Sequence, residues 1–327
     1  MRLVLLGDVM LGRLVNEHLR KAPAAYPWGD TLPVLRAADL RFANLECVLA
    51  DGGQPQPRKV FHFRSDLKNV ETLKAAGIDV VSLANNHVLD FGVDAFRETP
   101  DVLDLAGILH AGAGLNLETA RHPAIMTAGS TTVGFLAFTD NQPDWEAAPH
   151  HPGVYYVPVD AVDRRTSGLL ELVRHTKAMV DILVVSAHWG PNWGAEVPPA
   201  HQALGRALVE AGADVVFGHS AHIFRGVEIH QGRPIIYSAG DFVDDYAVDP
   251  EERNDQSFIF GLETHDGVPA LLRLHPTVIA GFQARLAGRE SRKIAERMQR
   301  LSSELGTGSE WVEHGAVLEI PCQTSSA

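Results

Sequence analysis

Residues 82–92 read SLANNHVLDFG: an apolar run stops at Asn85, Asn86 and His87, and a carboxylate, Asp90, follows three residues after the histidine. An amide oxygen, an imidazole and a carboxylate so close together can hold a metal or move a proton. They can equally form a turn and cap the next helix. The same ending recurs along the chain, at Asp8 in RLVLLGD, Glu46 in DLRFANLEC, His188 in VDILVVSAHWG and His219 in DVVFGHSAH. Singly, Asp8 reads as a helix cap, Asn86 as a turn residue and either histidine as a hydrogen-bonded strand end. Jointly, polar residues at successive strand ends favour a metal site, because the loops beyond the carboxyl ends of strands converge in α/β sheets. Carboxylate and amide oxygens with imidazole nitrogen suit a divalent ion, calcium or manganese best, with zinc or iron open.

Such strand ends need a scaffold that brings them together. Short apolar runs alternate with stretches of helical period, the pattern of an α/β protein. DLKNVETLKAAG reads as a helix closing on Gly77, and VDAFRETPDVLDLAG as a helix that Pro100 caps or kinks. AIMTAGSTTVGFLAFTD reads as two strands around Gly129 and Ser130, and GVEIHQGRPIIYSAGDF as a hairpin turning at Gln231 and Gly232. VDRRTSGLLELVRHTKAM, PAHQALGRALVEAGA and GRESRKIAERMQRLSSEL are helical, and EWVEHGAVLEI reads as one last strand. No internal repeat occurs, and the longest loop candidates, ADGGQPQPRK and DNQPDWEAAPHHPG, are too short for domain linkers. A single domain over residues 1–327 is expected.

Composition narrows the function classes. The chain has 28 basic and 41 acidic residues, a formal net charge of -13, which repels nucleic acid and anionic membranes unless a local patch overrides it. In the opening MRLVLLGDVMLGR, Asp8 interrupts the apolar run before a signal core or membrane span forms. A soluble, cytoplasmic protein is expected, with neither nucleic acid nor membrane as partner. The two cysteines, Cys47 and Cys322, have no ligand-like spacing, and reduced structural thiols are expected.

Taken in order, GDVMLGR, NLE, SLANNHVLDFG, HWG, GHSAH and YSAGDF resemble the motifs of the CapA family of poly-γ-glutamate capsule synthesis proteins, over residues 1–242. The resemblance implies a calcineurin-like metallophosphoesterase fold, two packed β-sheets flanked by helices in four αββα layers, with the region from about 243 as a less typical extension. It places Asp8, Glu46, Asn86, His188, His219 and His222 on metal-ligand positions, and His87 on that of the proton-handling histidine. Some departures matter. Met10 stands where the GDxH pattern of metallophosphoesterases has histidine, and a thioether does not replace imidazole for a hard ion. Glu46 stands in place of the bridging aspartate, so one of two metal positions is expected to be weak or empty, which argues against two-metal phosphate-ester hydrolysis. Asp241, in SAGDF where the family more often has SLGNF, supplies either a carboxylate at the site or a turn.

Some soluble members that look like this chain are peptide epimerases of lasso-peptide biosynthesis. The resemblance therefore implies a metal-dependent epimerase that inverts the C-terminal residue of a ribosomal precursor peptide, with a metallophosphoesterase or capsule-type poly-γ-glutamate enzyme as the alternative. Inversion needs a base on one face of the α-carbon and an acid on the other. His87 with Asp90, and His222 with Asp241, are the candidate pairs; His222 has ligand and acid/base readings, and Asp90 a helix-capping one. Arg64 in FHFRSD is the candidate carboxylate clamp, with a surface ion pair as its other reading. Trp189 and Trp193 are candidates for an aromatic pocket or for core packing.

Overall fold

In the computed structural model, which describes residues 1–57 and 59–323, the strand Arg2–Val9 is buried on both faces from Leu3 onward, as an apolar run in a strand covered on both faces requires. Its alternate side chains enter different cores: Leu3 and Leu5 one, Val4 and Leu6 the other. The strand pairs in parallel with Leu40–Leu45, which continues to Val80–Ser82 and Leu109–Ala111. Its opposite edge pairs antiparallel with Gln256–His265, and the sheet goes on through Val268–Ile279, Val317–Pro321 and Glu310–Val312. A second sheet is ordered Val227–His230, Arg233–Ile236, Val215–His219, Ile182–His188, Thr131–Thr139 and Ala124–Ala128.

Alternation along the strands then fixes the layers. Leu3 and Leu5 meet Ile182 and Val184 between the sheets, where Phe42 and Phe135 stack with ring centroids 5.2 Å apart. Val4 and Leu6 share a core with Leu73 and Phe96 of the helices Val70–Ala76 and Gly92–Ala106. Leu183 and Val185 face Leu169 and Leu208 of the helices Arg164–Lys177 and Pro199–Glu210. Helices, sheet, sheet and helices make the expected four αββα layers.

Register places the polar strand ends side by side. Asp8 lies opposite Asn44 on one neighbour and Asp241 of the short strand Asp241–Val243 on the other. His188 lies opposite His219. The approach of the Asp241 strand is possible because residue 7 is glycine: a Cβ there would sit 1.9 Å from the Gly240 carbonyl oxygen, the group that accepts the Asp8 N–H at 3.0 Å.

Several elements differ from their sequence reading. Helix Gly92–Ala106 continues through Pro100; the preceding Thr99 exchanges hydrogen bonds of 2.9 and 3.1 Å with the Leu49 backbone, which secures that turn against the adjoining chain. EWVEHGAVLEI forms two strands, Glu310–Val312 and Val317–Pro321, because Gly315 and Ala316 both have positive φ and turn the chain. The region from about 243, expected as a less typical extension, supplies the antiparallel half of the first sheet. Cys47 and Cys322 are free and buried, and burial pushes both thiols up to about 12. Among the described residues, no helix is long and apolar enough to cross a membrane.

Gly7→Ala is expected to cost about 3 kcal/mol by forcing the Gly240 carbonyl away from Asp8. Urea unfolding of the two proteins measures it; an unchanged midpoint would show that the strands can separate freely at this point.

Candidate functional site

Asp8 is the hub. Its Oδ1 accepts a hydrogen bond from Asn44 Nδ2 at 2.7 Å and lies 3.6 Å from His219 Nδ1; its Oδ2 accepts from the Ser220 N–H at 3.4 Å and lies 3.9 Å from His222 Nδ1. Two sets of donor atoms share it. Asp8, His188 and His219 form one, and Asp8, Glu46, His222 and Asp241 the other, with the atoms of each set within 4.8 Å of one another. His188 Nδ1 is 2.8 Å from His219 Nδ1, and His188 Nε2 is 3.1 Å from Asn86 Oδ1. The turn carrying Asn86 and His87 is fastened by Asn85, which donates to Asn44 Oδ1 and to the Leu45 carbonyl and accepts the His87 N–H.

Electrostatics test whether these residues suit a cation. All members of both sets are buried. Both carboxylate oxygens of Glu46 and the Oδ2 of Asp241 have no hydrogen-bond partner among the described residues. Burial, then repulsion from neighbouring carboxylates, raises Glu46 and Asp241 well above the usual range; burial raises Asp8 too, against the pull of His222. Isolated buried carboxylates are costly unless a positive charge compensates them. A divalent ion would supply that charge and take up the orphaned oxygens, so the residues fit one. Carboxylates plus one imidazole suit manganese, iron or calcium in the second set, and the imidazole-rich first set, beside the Asn86 amide, suits zinc, iron or manganese. Met10 is buried and its sulfur accepts the Gly12 N–H at 3.0 Å. Asp241 brings a further carboxylate to the set of Asp8, Glu46 and His222.

His87 lies beside these sets with a different set of neighbours. Its ring stacks on Phe63, centroids 3.8 Å apart. Its Nδ1 is 2.6 Å from Asp90 Oδ2, which fixes the ring and leaves Nε2 3.7 Å from Glu46 Oε1. Burial lowers His87 to about 4 and His219 to about 3, and holds His188 well below the ordinary imidazole range. Asp90 also accepts from the Phe63 N–H at 2.7 Å and from Lys59 Nζ at 2.6 Å. It does not cap the following helix, whose first turn has no side-chain cap. Lys59 also contacts the Asn86 carbonyl and sits 4.8 Å over the Trp145 ring.

His87 and His222 border one cleft of about 530 Å³, together with Arg13, Phe61, Trp193 and Tyr246. His222 Nδ1 is 2.9 Å from Asp241 Oδ1, so both expected His/Asp pairs exist. Trp193, 39% exposed, lines the cleft 6.2 Å from the His222 ring. Trp189 does not: it is buried, donates to the Tyr237 carbonyl at 2.9 Å and stacks on His201, part of the core beneath the second sheet. Arg64 also lies elsewhere. It donates to the Gly52 carbonyl at 2.8 Å and covers the Phe91 ring, because Phe63 faces His87 and adjacent residues of an extended segment face opposite ways. Lys59, Arg13 and Tyr246 were not singled out individually by sequence reasoning, although Arg13 ends the motif GDVMLGR and Tyr246 lies in the acidic segment DDYAVDPEERND, which as a solvated loop or a shaper of peptide access had two readings.

Comparison with known proteins shows the family and the fold. The family described as "Bacterial capsule synthesis protein PGA_cap" matches residues 2–246. A probable polyglutamine synthesis accessory protein of Mycobacterium tuberculosis is 34% identical over 317 residues, covering 94% of this chain and 80% of that protein. The PGA biosynthesis protein CapA of Bacillus subtilis is 30% identical over 242 residues, 73% of this chain and 62% of its own length. A crystal structure of a hypothetical protein from Thermus thermophilus aligns with a TM-score of 0.52 at 17% identity, over 84% of this chain and 98% of that one, a likeness of fold.

Without metal, the folded chain holds protons on Glu46 and Asp241 that the unfolded chain has released. The contribution of these two carboxylates to the chelated protein is therefore expected to be full below the ordinary carboxylate range and to be lost as pH rises through the raised native values, whereas the buried neutral His87, His188 and His219 contribute stability that is lost as pH falls below the ordinary imidazole range. Manganese should raise the neutral-pH melting temperature by about 5 °C or more, and Asp241→Asn should remove most of that gain. Thermal melts in chelator and in manganese, from mildly acid to neutral pH, measure both; a melt indifferent to manganese would contradict the fit.

Proposed function

The chain belongs to the bacterial capsule synthesis protein PGA_cap family and has the calcineurin-like metallophosphoesterase fold; from that premise we propose that it is a metal-dependent hydrolase of amide links in a γ-glutamyl chain. One observation carries the choice of reaction: His222 and Asp241 lie within the ligand set of Asp8 and Glu46, which leaves His87 with Asp90 as the acid/base pair outside both sets. Proton handling from one side suits hydrolysis, whereas inversion by two bases needs an independent acid on the opposite face. The names of the relatives, polyglutamine synthesis and PGA biosynthesis, support the substrate class.

Asp8, Glu46, His222 and Asp241 would hold one ion, and Asp8, His188 and His219 a second. A bound divalent cation supplies Lewis-acid polarisation of the scissile carbonyl and makes water more acidic. His87 Nδ1 donates to Asp90, so Nε2 is the atom that accepts a proton from the attacking water. The same proton then passes from Nε2 to the leaving amine nitrogen, and the imidazole ends as it began. Lys59 holds the second oxygen of Asp90, and Phe63 shields one face of the ring from water.

Epimerisation of a peptide's C-terminal residue is the second reading, favoured by one fact: both histidines border the same cleft, each with its carboxylate at 2.6 and 2.9 Å. In that case His222 would act as the opposing acid.

Manganese-loaded protein is expected to cleave a γ-glutamyl anilide and to lose about 100-fold or more in kcat on His87→Asn. Lys59→Met should lower kcat about tenfold with little change in KM, and Lys59→Arg should recover part of it. Deuterium entering the α-carbon of a peptide's C-terminal residue in heavy water, without cleavage, would move the conclusion to epimerisation.

A further inference from the structure

We propose that Arg13 is the specificity-determining residue of the cleft, binding a substrate carboxylate next to the bond that reacts; the substrate it selects rests on the hydrolase reading above. Arg13 begins the helix Arg13–Leu19 with φ +49, the left-handed region that non-glycine residues rarely adopt. Such backbone strain persists where it aims a side chain. The preceding turn is tight: the Gly12 N–H donates to Met10, and a Cβ at Gly12 would meet the Arg64 nitrogen at 3.0 Å. Glycine at 12 lets the chain close there, and the left-handed residue that follows directs the guanidinium into the cleft that His87 and His222 border.

The guanidinium is fixed along one edge. Its Nε is 3.3 Å from Asp245 Oδ2, and that buried carboxylate also accepts the Leu14 N–H at 2.9 Å. Its carbon lies 5.8 Å from the ring centroids of both Phe61 and Phe63. Among the described residues, neither Nη has a hydrogen-bond partner, so the paired N–H face that matches a carboxylate is open. Lys59, the other cation among the described residues lining the cleft, is occupied by Asp90 and the Asn86 carbonyl. Those lining residues include no carboxylate, so none of them competes with an anionic ligand. The role expected for Arg64 thus falls to an arginine that its left-handed backbone turns toward the site.

The ligand class is an amide-linked compound with a free carboxylate near the scissile bond and an apolar or extended remainder against Phe61 and Trp193. Calorimetric titration tests this with manganese-loaded protein, in a His87→Asn background that stops turnover, using the γ-anilide of N-acetylglutamate and the same anilide with its α-carboxylate converted to carboxamide. The acid is expected to bind at least tenfold more tightly than the carboxamide. Arg13→Asn, whose side chain tolerates a left-handed backbone, should bring the ratio to about one, and Arg13→Lys should keep part of the preference. Equal binding of the two compounds by the parent, or a preference that survives Arg13→Asn, would overturn the assignment, the latter by giving the carboxylate to the metal. The hydrolase reading fails separately: if protein with His87 intact leaves the γ-anilide uncleaved yet shows the Arg13-dependent preference, the reaction is wrong and the recognition stands.

Discussion

The crowding of buried carboxylates at the ends of the central strands is the constraint on which the rest of the structure depends. Asp8, Glu46 and Asp241 are removed from water within reach of one another, an arrangement that costs energy in every protonation state the chain can reach alone. Neighbouring parts of the site respond to that cost. Histidines from the second sheet stay neutral under burial and face the carboxylates. Asn44 and Asn85 form a chain of amide hydrogen bonds from Asp8 to the His87 backbone, so the ligand sets and the acid/base residue share one rigid frame.

That frame separates two kinds of histidine chemistry. His188, His219 and His222 have ring nitrogens among the donor atoms that could hold an ion, and a nitrogen bound to a metal cannot also carry a travelling proton. His87 has its own carboxylate, an aromatic ring beneath it and a lysine behind the carboxylate. The division underlies the proposed transfer of a proton from one direction, since His222, 2.9 Å from Asp241, belongs with it to one donor set while His87 stands outside both.

Much of this was legible in the sequence because an apolar run that stops at a polar residue reports a strand end, and strand ends of two parallel sheets collect in one place. Asp8, Glu46, His188 and His219 were visible for that reason, and Asn86 and His87 followed from the turn between them. Side-chain direction was less legible. Trp189 and Trp193 sit four residues apart beside His188, and only the second faces the cleft, since the first continues the inward alternation of its strand. Arg64 and Phe63 exchange places in the same way. Lys59 left no signal at all, because a lysine in a Gly- and Pro-rich loop looks solvated until the tertiary fold carries it to Asp90. The antiparallel half of the first sheet lies past the last recognisable motif, where strand composition alone had no site to anchor it.

The tight passage of Gly7 against Gly240 also sets an order of events. Asp8 is paired across that contact with Asp241, which lies far along the chain, so the carboxylate-rich donor set does not exist on a nascent chain until the Asp241 strand has emerged and inserted beside the strand of Asp8. Pairings this distant in sequence form slowly. A divalent ion held by this set would therefore close a strand pairing already made rather than nucleate it.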